Sequence, residues 1–325
     1  MIVGNFLLYN LLPSLVVGAL VWLLVVVAFN LLPIRQATLR LCLLWMPLAK
    51  SLFVLLGIGL ILPWPESVFR SWQAAALSPR QVIPVLLIWA GGALLIYEAV
   101  VRRARNGLLR EAQPAPERLE RTLDDVLAAY RQTTACRCDN GLVCSAASLP
   151  RPQLFLSDDL RSPLVLTGGG DPAILFPAGL AETLDDDELA GALAHEVTHF
   201  GLRWPGWSSV GGLRKLALVT PVAGLVSAHI RREEEKACDD VAVRIAGDRK
   251  TYADMLLKSY RYALAQDRSL GKQVAFLPQL LGRRPALSER VERLLHEPAP
   301  AAGWPLQLLL TGLLWLAASA VFFQF

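Results

Sequence analysis

The residues best placed to do chemistry are in Ala194-His195-Glu196-Val197-Thr198-His199-Phe200. In a helix, His195 and His199 stand one turn apart and project from one face. Two imidazoles so placed can hold one zinc ion, and Glu196, the next position round, reaches a water on that ion. The alternative is an amphipathic helix with incidental histidines. The acidic run Asp185-Asp186-Asp187-Glu188 precedes the apolar lead-in Leu189 to Leu193. Negative charge belongs at a helix start, where the dipole favours it.

A catalytic zinc site needs a third protein ligand. The chain has 4 histidines, and neither His229 nor His296 belongs to a comparable spacing. A carboxylate on a second helix is the natural donor. Glu235 and Asp239 share a helical face, so one can bind metal while the other orients a ligand histidine. Ala237 and Cys238 interrupt the charge there as buried neighbours would, which favours Glu235 over Glu234. The competing reading, a solvated acidic face balanced by Arg231 and Arg232, suits Glu233 and Glu234 better.

The elements that must position these groups lie in an unusually apolar chain. Of 325 residues, 54% are hydrophobic and 18% charged, against roughly 25% charged in soluble domains. Mean hydropathy is +0.41. No charged side chain occurs from Met1 to Ile34 or from Pro298 to Phe325, and runs of that length exceed the roughly 20 residues that cross a bilayer. The sequence predicts spans over Phe6 to Leu32, Leu41 to Trp64, Val82 to Val101 and Trp304 to Phe323. Arg35 and Arg40 follow the first, and Arg102-Arg103-Ala104-Arg105 the third. By the positive-inside rule the segment from Arg102 onward is cytoplasmic and both termini are outside. The run Leu216 to Ala228, interrupted by Pro221, is too short for an ordinary span and is expected in the membrane interface.

Between the third span and the site, Gln113-Pro114-Ala115-Pro116 reads as a linker, and Glu117 to Arg131 as an amphipathic helix with Leu119, Leu123, Val126, Leu127 and Tyr130 inward. Gln153 to Leu156, Pro163 to Leu166 and Ala173 to Phe176 read as short strands of a small sheet. Ile174, Leu175 and Phe176 are expected to form an edge strand beside the cleft. Gly201 and Pro205 are expected to end the histidine helix. His229 to Ala246 and Tyr252 to Gln266 are further helices, and Arg283 to Leu295 ends the soluble part.

The formal charge of +4 is scattered, so nothing resembles the concentrated basic face that nucleic acid requires. Of 5 cysteines, Cys136, Cys138 and Cys144 are dense enough for metal or redox chemistry, but zinc sites use wider paired spacings and a reduced loop is favoured. Lys50 falls within the second span. It either serves a function there or snorkels to the boundary.

His195-Glu196-Val197-Thr198-His199 with Glu235-Lys236-Ala237-Cys238-Asp239-Asp240 resembles the integral-membrane zinc metallopeptidases of the β-lactam sensor and methicillin-resistance antirepressor family. Ile174 to Leu180, Gly247-Asp248 and Tyr252-Ala253 extend the likeness. The resemblance implies a gluzincin site holding one Zn2+ ion, with His195, His199 and Glu235 as ligands, Glu196 as general base and Asp239 orienting a ligand. It also implies a protein or peptide substrate paired along Ile174 to Phe176. Arg283 to Arg290 is similar to a segment in which wider relatives use a histidine to stabilise the transition state. Arg284 stands near that place, where it would stabilise an oxyanion or simply start a helix. No penicillin-binding sensor domain is expected after the last span.

The expected fold is thus an α+β membrane protein, with about four transmembrane helices and a mainly helical zincin-like domain carrying a small β-sheet. The expected organisation is a membrane domain over 1–103, a cytoplasmic peptidase domain over 104–303 with its interfacial segment near 208–228, and a final span over 304–325. The expected activity is zinc-dependent endoproteolysis at the cytoplasmic face of the cell membrane, on a repressor or a membrane-protein quality-control substrate. A catalytically silent membrane scaffold is the alternative.

Overall fold

The structure is a computed structural model that describes residues 2–31, 37–56, 77–135, 149–166, 171–203, 220–267 and 287–296. The chain divides into two compact units. One comprises Met1–Ile96, Gly212–Glu233 and Pro300–Phe325; the other comprises Tyr97–Gly211 and Glu234–Ala299.

In the first unit, a helix (α1) runs over Phe6–Leu31. It is π-helical over Phe6–Leu11 and α-helical from Leu12. Pro13 lacks an N–H and crowds the preceding turn, which a widened turn accommodates. Two shorter helices follow, α2 over Ala37–Leu43 and α3 over Trp45–Leu55, and α1 packs against α3. A polar and small-residue stripe joins them. Asn10 Nδ2 donates to the carbonyls of Leu55 and Leu77, each at 3.1 Å, and its Oδ1 accepts from Leu77 N at 2.9 Å. Ser14 Oγ donates to the Ser51 carbonyl at 2.8 Å. These bonds satisfy polar groups that neither lipid nor a packed core could solvate. A Cβ on Gly18 would lie 2.5 Å from Val222 Cγ1, so the close approach there requires glycine. Arg40 pairs with Glu233 at 3.5 Å and stacks over the Phe29 ring.

Among the described residues two helices, α1 and α4 (Pro79–Arg110), are long and apolar enough to cross a membrane. They match the first and third of the four spans expected. Within the described part of the predicted second span, Leu44 separates α2, of 7 residues, from α3, of 11. Residues 57–64 and the predicted last span lie outside the described residues, as do Cys136, Cys138 and Cys144. Lys50 is half-buried in α3. Along α4, Val85, Leu87, Ile88, Leu95 and Ile96 stand exposed, a surface suited to lipid.

The second unit is α+β. β1 (Gln113–Pro114), β2 (Gln153–Ser157), β3 (Leu164–Leu166) and β4 (Ala173–Pro177) form one sheet in the order β1-β2-β4-β3. The expected linker at Gln113-Pro114 thus contributes a strand, paired antiparallel to β2. β4 runs parallel to β2 and antiparallel to β3. Ile174, Leu175 and Phe176 therefore belong to an interior strand, which corrects their expected place at the edge. The cause is burial on both faces. Ile174 and Phe176 enter the main core, while Ala173 and Leu175 meet Leu160, Leu108 and Leu109 on the other side. Arg105 is also drawn into this unit. It is nearly buried and donates to the Asp171 carbonyl, leaving Arg102 and Arg103 as the flank of α4.

The remaining helices are α5 (Glu117–Ala135), α6 (Ala178–Thr183), α7 (Asp186–Arg203), α8 (Ala223–Ala246), α9 (Arg249–Asp267) and α10 (Leu287–His296). Helix α8 begins six residues before the predicted His229, so 223–228, expected as part of a separate interfacial helix, are its first turns. Helix α7 continues through Gly201, which corrects the expected stop there. Gly201 serves close packing instead: a Cβ on it would meet Tyr130 Oη at 2.1 Å. The apolar face of α5 packs across α7 here, with Leu123, Leu127 and Tyr130 in one core with Leu193, Val197 and Phe200.

Candidate active site

Helix α7 carries both histidines, and its start is well defined. Glu188 N donates to Asp185 Oδ1 at 2.9 Å, and Asp185 N donates to Glu188 Oε2 at 3.1 Å. This reciprocal pair satisfies two N–H groups that the helix itself leaves open. Lys258 of α9 donates to Glu188 at 2.6 Å, tying the capped end to the helix beside it.

Two turns further on, the imidazoles of His195 and His199 stand edge to face with centroids 4.7 Å apart. Glu235 of α8 faces both. Its Oε2 is 3.5 Å from His195 Nε2 and its Oε1 3.3 Å from His199 Nε2. One donor atom from each of the three lies within 4.8 Å of the others. Ligands at zinc distances of about 2.0–2.1 Å stand roughly 3.3 Å apart along the edges of a tetrahedron. The two distances from Glu235 to the histidines are close to that spacing, so two imidazoles and a carboxylate converge here as a donor set suited to a zinc ion.

The far nitrogens of both rings are engaged. His195 Nδ1 lies 2.9 Å from Tyr252 Oη and 3.3 Å from Asp239 Oδ1. His199 Nδ1 lies 3.3 Å from Glu234 Oε1. Partners at Nδ1 orient each ring with Nε2 toward Glu235. Asp239, fully buried, accepts from Tyr252 Oη at 2.9 Å and from Arg290 Nε and Nη2 at 2.9 and 2.5 Å. Arg290 Nη1 also reaches Glu235 Oε2 at 3.1 Å.

The electrostatics follow from this arrangement. Burial disfavours the charged imidazole of His195, but hydrogen bonds to Asp239 and Glu235 outweigh it and hold its pKa up at about 9. Burial likewise opposes ionisation of Asp239 and Glu235. The Arg290 charge leads in overcoming it at Asp239, and the imidazole of His199 leads at Glu235, so both stay well below the usual carboxylate range. Glu196, 8% exposed, makes no hydrogen bond or ion pair among the described residues, so its carboxylate is uncommitted.

The structure thus brings together His195, Glu196, His199, Glu235 and Asp239. It does not bring in Ile174 to Phe176 as an edge, and Arg284 lies outside the described residues. Glu233 and Glu234, read from the sequence as a solvated face, are instead buried against Arg40 and His199, and two neighbours, Tyr252 and Arg290, were not among the residues assigned to the site. Arg290 and Arg293 are three apart on one face of α10, but which carboxylates they meet depends on how α10 packs. Arg293 Nη1 donates to Asp240 at 2.8 Å.

Comparison with known proteins agrees with this picture. The family model for the BlaR1 peptidase M56 matches residues 70–294. Protease HtpX homologs of Burkholderia mallei, Burkholderia pseudomallei and Burkholderia thailandensis are each 25% identical over 202 residues, covering 47% of this chain and 70% of the relative. A match over most of the chain, on a site with a peptidase's donor set, leads to one assignment: the chain belongs to the BlaR1 peptidase M56 family of membrane metallopeptidases.

Proposed function

We propose that this protein is a membrane-embedded, zinc-dependent endopeptidase that cleaves a protein substrate at the cytoplasmic face of the cell membrane. The observation that carries the reading is the convergence of His195 Nε2, His199 Nε2 and the Glu235 carboxylate beside an uncommitted Glu196. These three residues would hold one zinc ion. When bound, the ion supplies Lewis acidity toward a scissile carbonyl and an attacking water. Glu196 accepts the proton of that water and returns it to the leaving amine. Asp239 and Glu234 hold the imidazoles in place.

The substrate would lie extended along β3, one of the two terminal strands of the sheet, in place of the interior β4. Arg102 and Arg103 at the end of an apolar helix support a cytoplasmic domain. A transcriptional repressor is the substrate candidate that membership in this family suggests. A silent scaffold would have no use for a free carboxylate at Glu196.

The test is zinc content and proteolysis by the full chain in detergent. Glu196→Ala should retain zinc and lose about 10²–10⁴-fold in rate, while His195→Ala should lose both. Cleavage by Glu196→Ala at the wild-type rate would exclude the mechanism. A reporter fused at Pro114 should register the cytoplasmic side; an external signal would reverse the topology.

A further inference from the structure

We infer that Tyr252 is a positioning residue for the metal centre, its hydroxyl fixing the ring of His195 by linking Nδ1 to Asp239. The inference rests on the reading of His195, His199 and Glu235 as metal ligands.

The order of hydrogens along the chain is determined. Asp239 is fully buried and receives two guanidinium N–H groups from Arg290, so its carboxylate is ionised and can only accept. The Tyr252 hydroxyl, 2.9 Å from Asp239 Oδ1, must therefore donate to it. Its one proton being used, the same oxygen can only accept from His195 Nδ1, also at 2.9 Å. Nδ1 then carries a hydrogen, and the nitrogen left for a metal is Nε2, which faces Glu235. Direct contact between His195 Nδ1 and Asp239 is longer, at 3.3 Å, so the hydroxyl makes the better bond to the ring.

The fold delivers this hydroxyl by local means. Gly247, with φ of +79°, ends α8 in a conformation that glycine adopts without strain. Asp248 then caps α9, accepting from Thr251 N at 2.8 Å and Thr251 Oγ1 at 2.7 Å. Tyr252 comes next, in the first turn of α9, fully buried. Its ring bears on Gly191, where a Cβ would stand 3.2 Å from Tyr252 Cδ2. Gly191 is one turn before His195 on α7, so the ring is seated on the helix whose histidine it orients.

The test measures zinc(II) affinity of the full chain in detergent by chelator competition, at a temperature where circular dichroism shows each variant folded. Tyr252→Phe keeps the ring and removes the hydroxyl. It should weaken zinc binding about 10–100-fold, a loss that a role in packing alone would not produce. Combining it with Asp239→Asn should cost less than the product of the single effects, because both act through one hydrogen-bond chain. Zinc affinity within twofold of wild type in Tyr252→Phe, with affinity lost in His195→Ala, would overturn the inference and leave the metal centre standing. Fully multiplicative effects would overturn it as well. Equal zinc binding by wild type and His195→Ala would overturn the metal centre and this inference together. Where Tyr252→Phe yields no folded protein, Gly191→Ala, which presses the ring but leaves the hydroxyl, supplies the reading. Weakened binding supports the role of Tyr252 and unchanged binding opposes it.

Discussion

Arg290 grips Asp239 through both carboxylate oxygens, Nε to Oδ2 and Nη2 to Oδ1, with neither residue open to solvent. Truncating one partner of such a pair leaves a buried charge uncompensated. Arg290→Ala is expected to cost about 3–5 kcal/mol, seen as a lower thermal midpoint of the metal-free protein in detergent. Arg290→Lys should recover only part of this, since an ammonium cannot reproduce the two-pronged contact. Equal midpoints for wild type and Arg290→Ala would show that the pair contributes little.

Metal should stabilise the fold by mass action. Zinc at 100 times its dissociation constant is expected to add about 2.7 kcal/mol. Chelation should lower the melting midpoint and added zinc restore it, in a concentration-dependent way. His195→Ala should show no such dependence. A midpoint unmoved by chelator in the wild type would count against a metal at this site.

The approach of α5 to α7 depends on a missing side chain. Gly201→Ala places a methyl against Tyr130 Oη and Cζ and should destabilise by about 1–3 kcal/mol. In Tyr130→Leu the same alanine should cost measurably less, because the obstructing hydroxyl and ring are gone. Equal costs in the two backgrounds, read from denaturation, would refute the contact.

Capping predicts a smaller effect and a pH dependence. Asp185→Ala breaks the reciprocal bonds at the start of α7 and should cost about 1 kcal/mol, most of it recovered by Asp185→Asn. At α9, the bonds from Thr251 to Asp248 hold that carboxyl below its ordinary value. A group with a depressed folded-state pKa stabilises above its unfolded value and loses that contribution as pH falls through the folded one. The gap in melting midpoint between wild type and Asp248→Ala should therefore be full at neutral pH and close below about pH 4. A gap that stayed constant through this range would remove the cap's charge from the account.

The parts of the site that could be read in the sequence are those set by helical spacing. His195 with His199, and Glu235 with Asp239, are four-residue steps that put partners on one face whatever the tertiary fold. The three consecutive glutamates were harder, because each step turns about 100°. Glu233 faces Arg40, Glu234 faces His199 Nδ1, and Glu235 faces both Nε2 atoms. Spacing alone distinguishes these directions only once the partners are known. Tyr252 and Arg290 depend on where α9 and α10 fold back, which is non-local information. The misplaced strand had a visible clue: Ala173-Ile174-Leu175-Phe176 has no polar alternate, and an unbroken apolar run indicates burial on both faces.

The position of Arg290 in the chain also bears on biosynthesis. A nascent polypeptide that has emerged through α8 already carries His195, Glu196, His199 and Glu235, yet its Asp239 has no guanidinium to answer it. Burying that carboxylate before α10 arrives is unfavourable, so the arrangement around Asp239 is complete only once Arg290 has been made. The last described helix to be synthesised is therefore the one that completes the surroundings of Asp239.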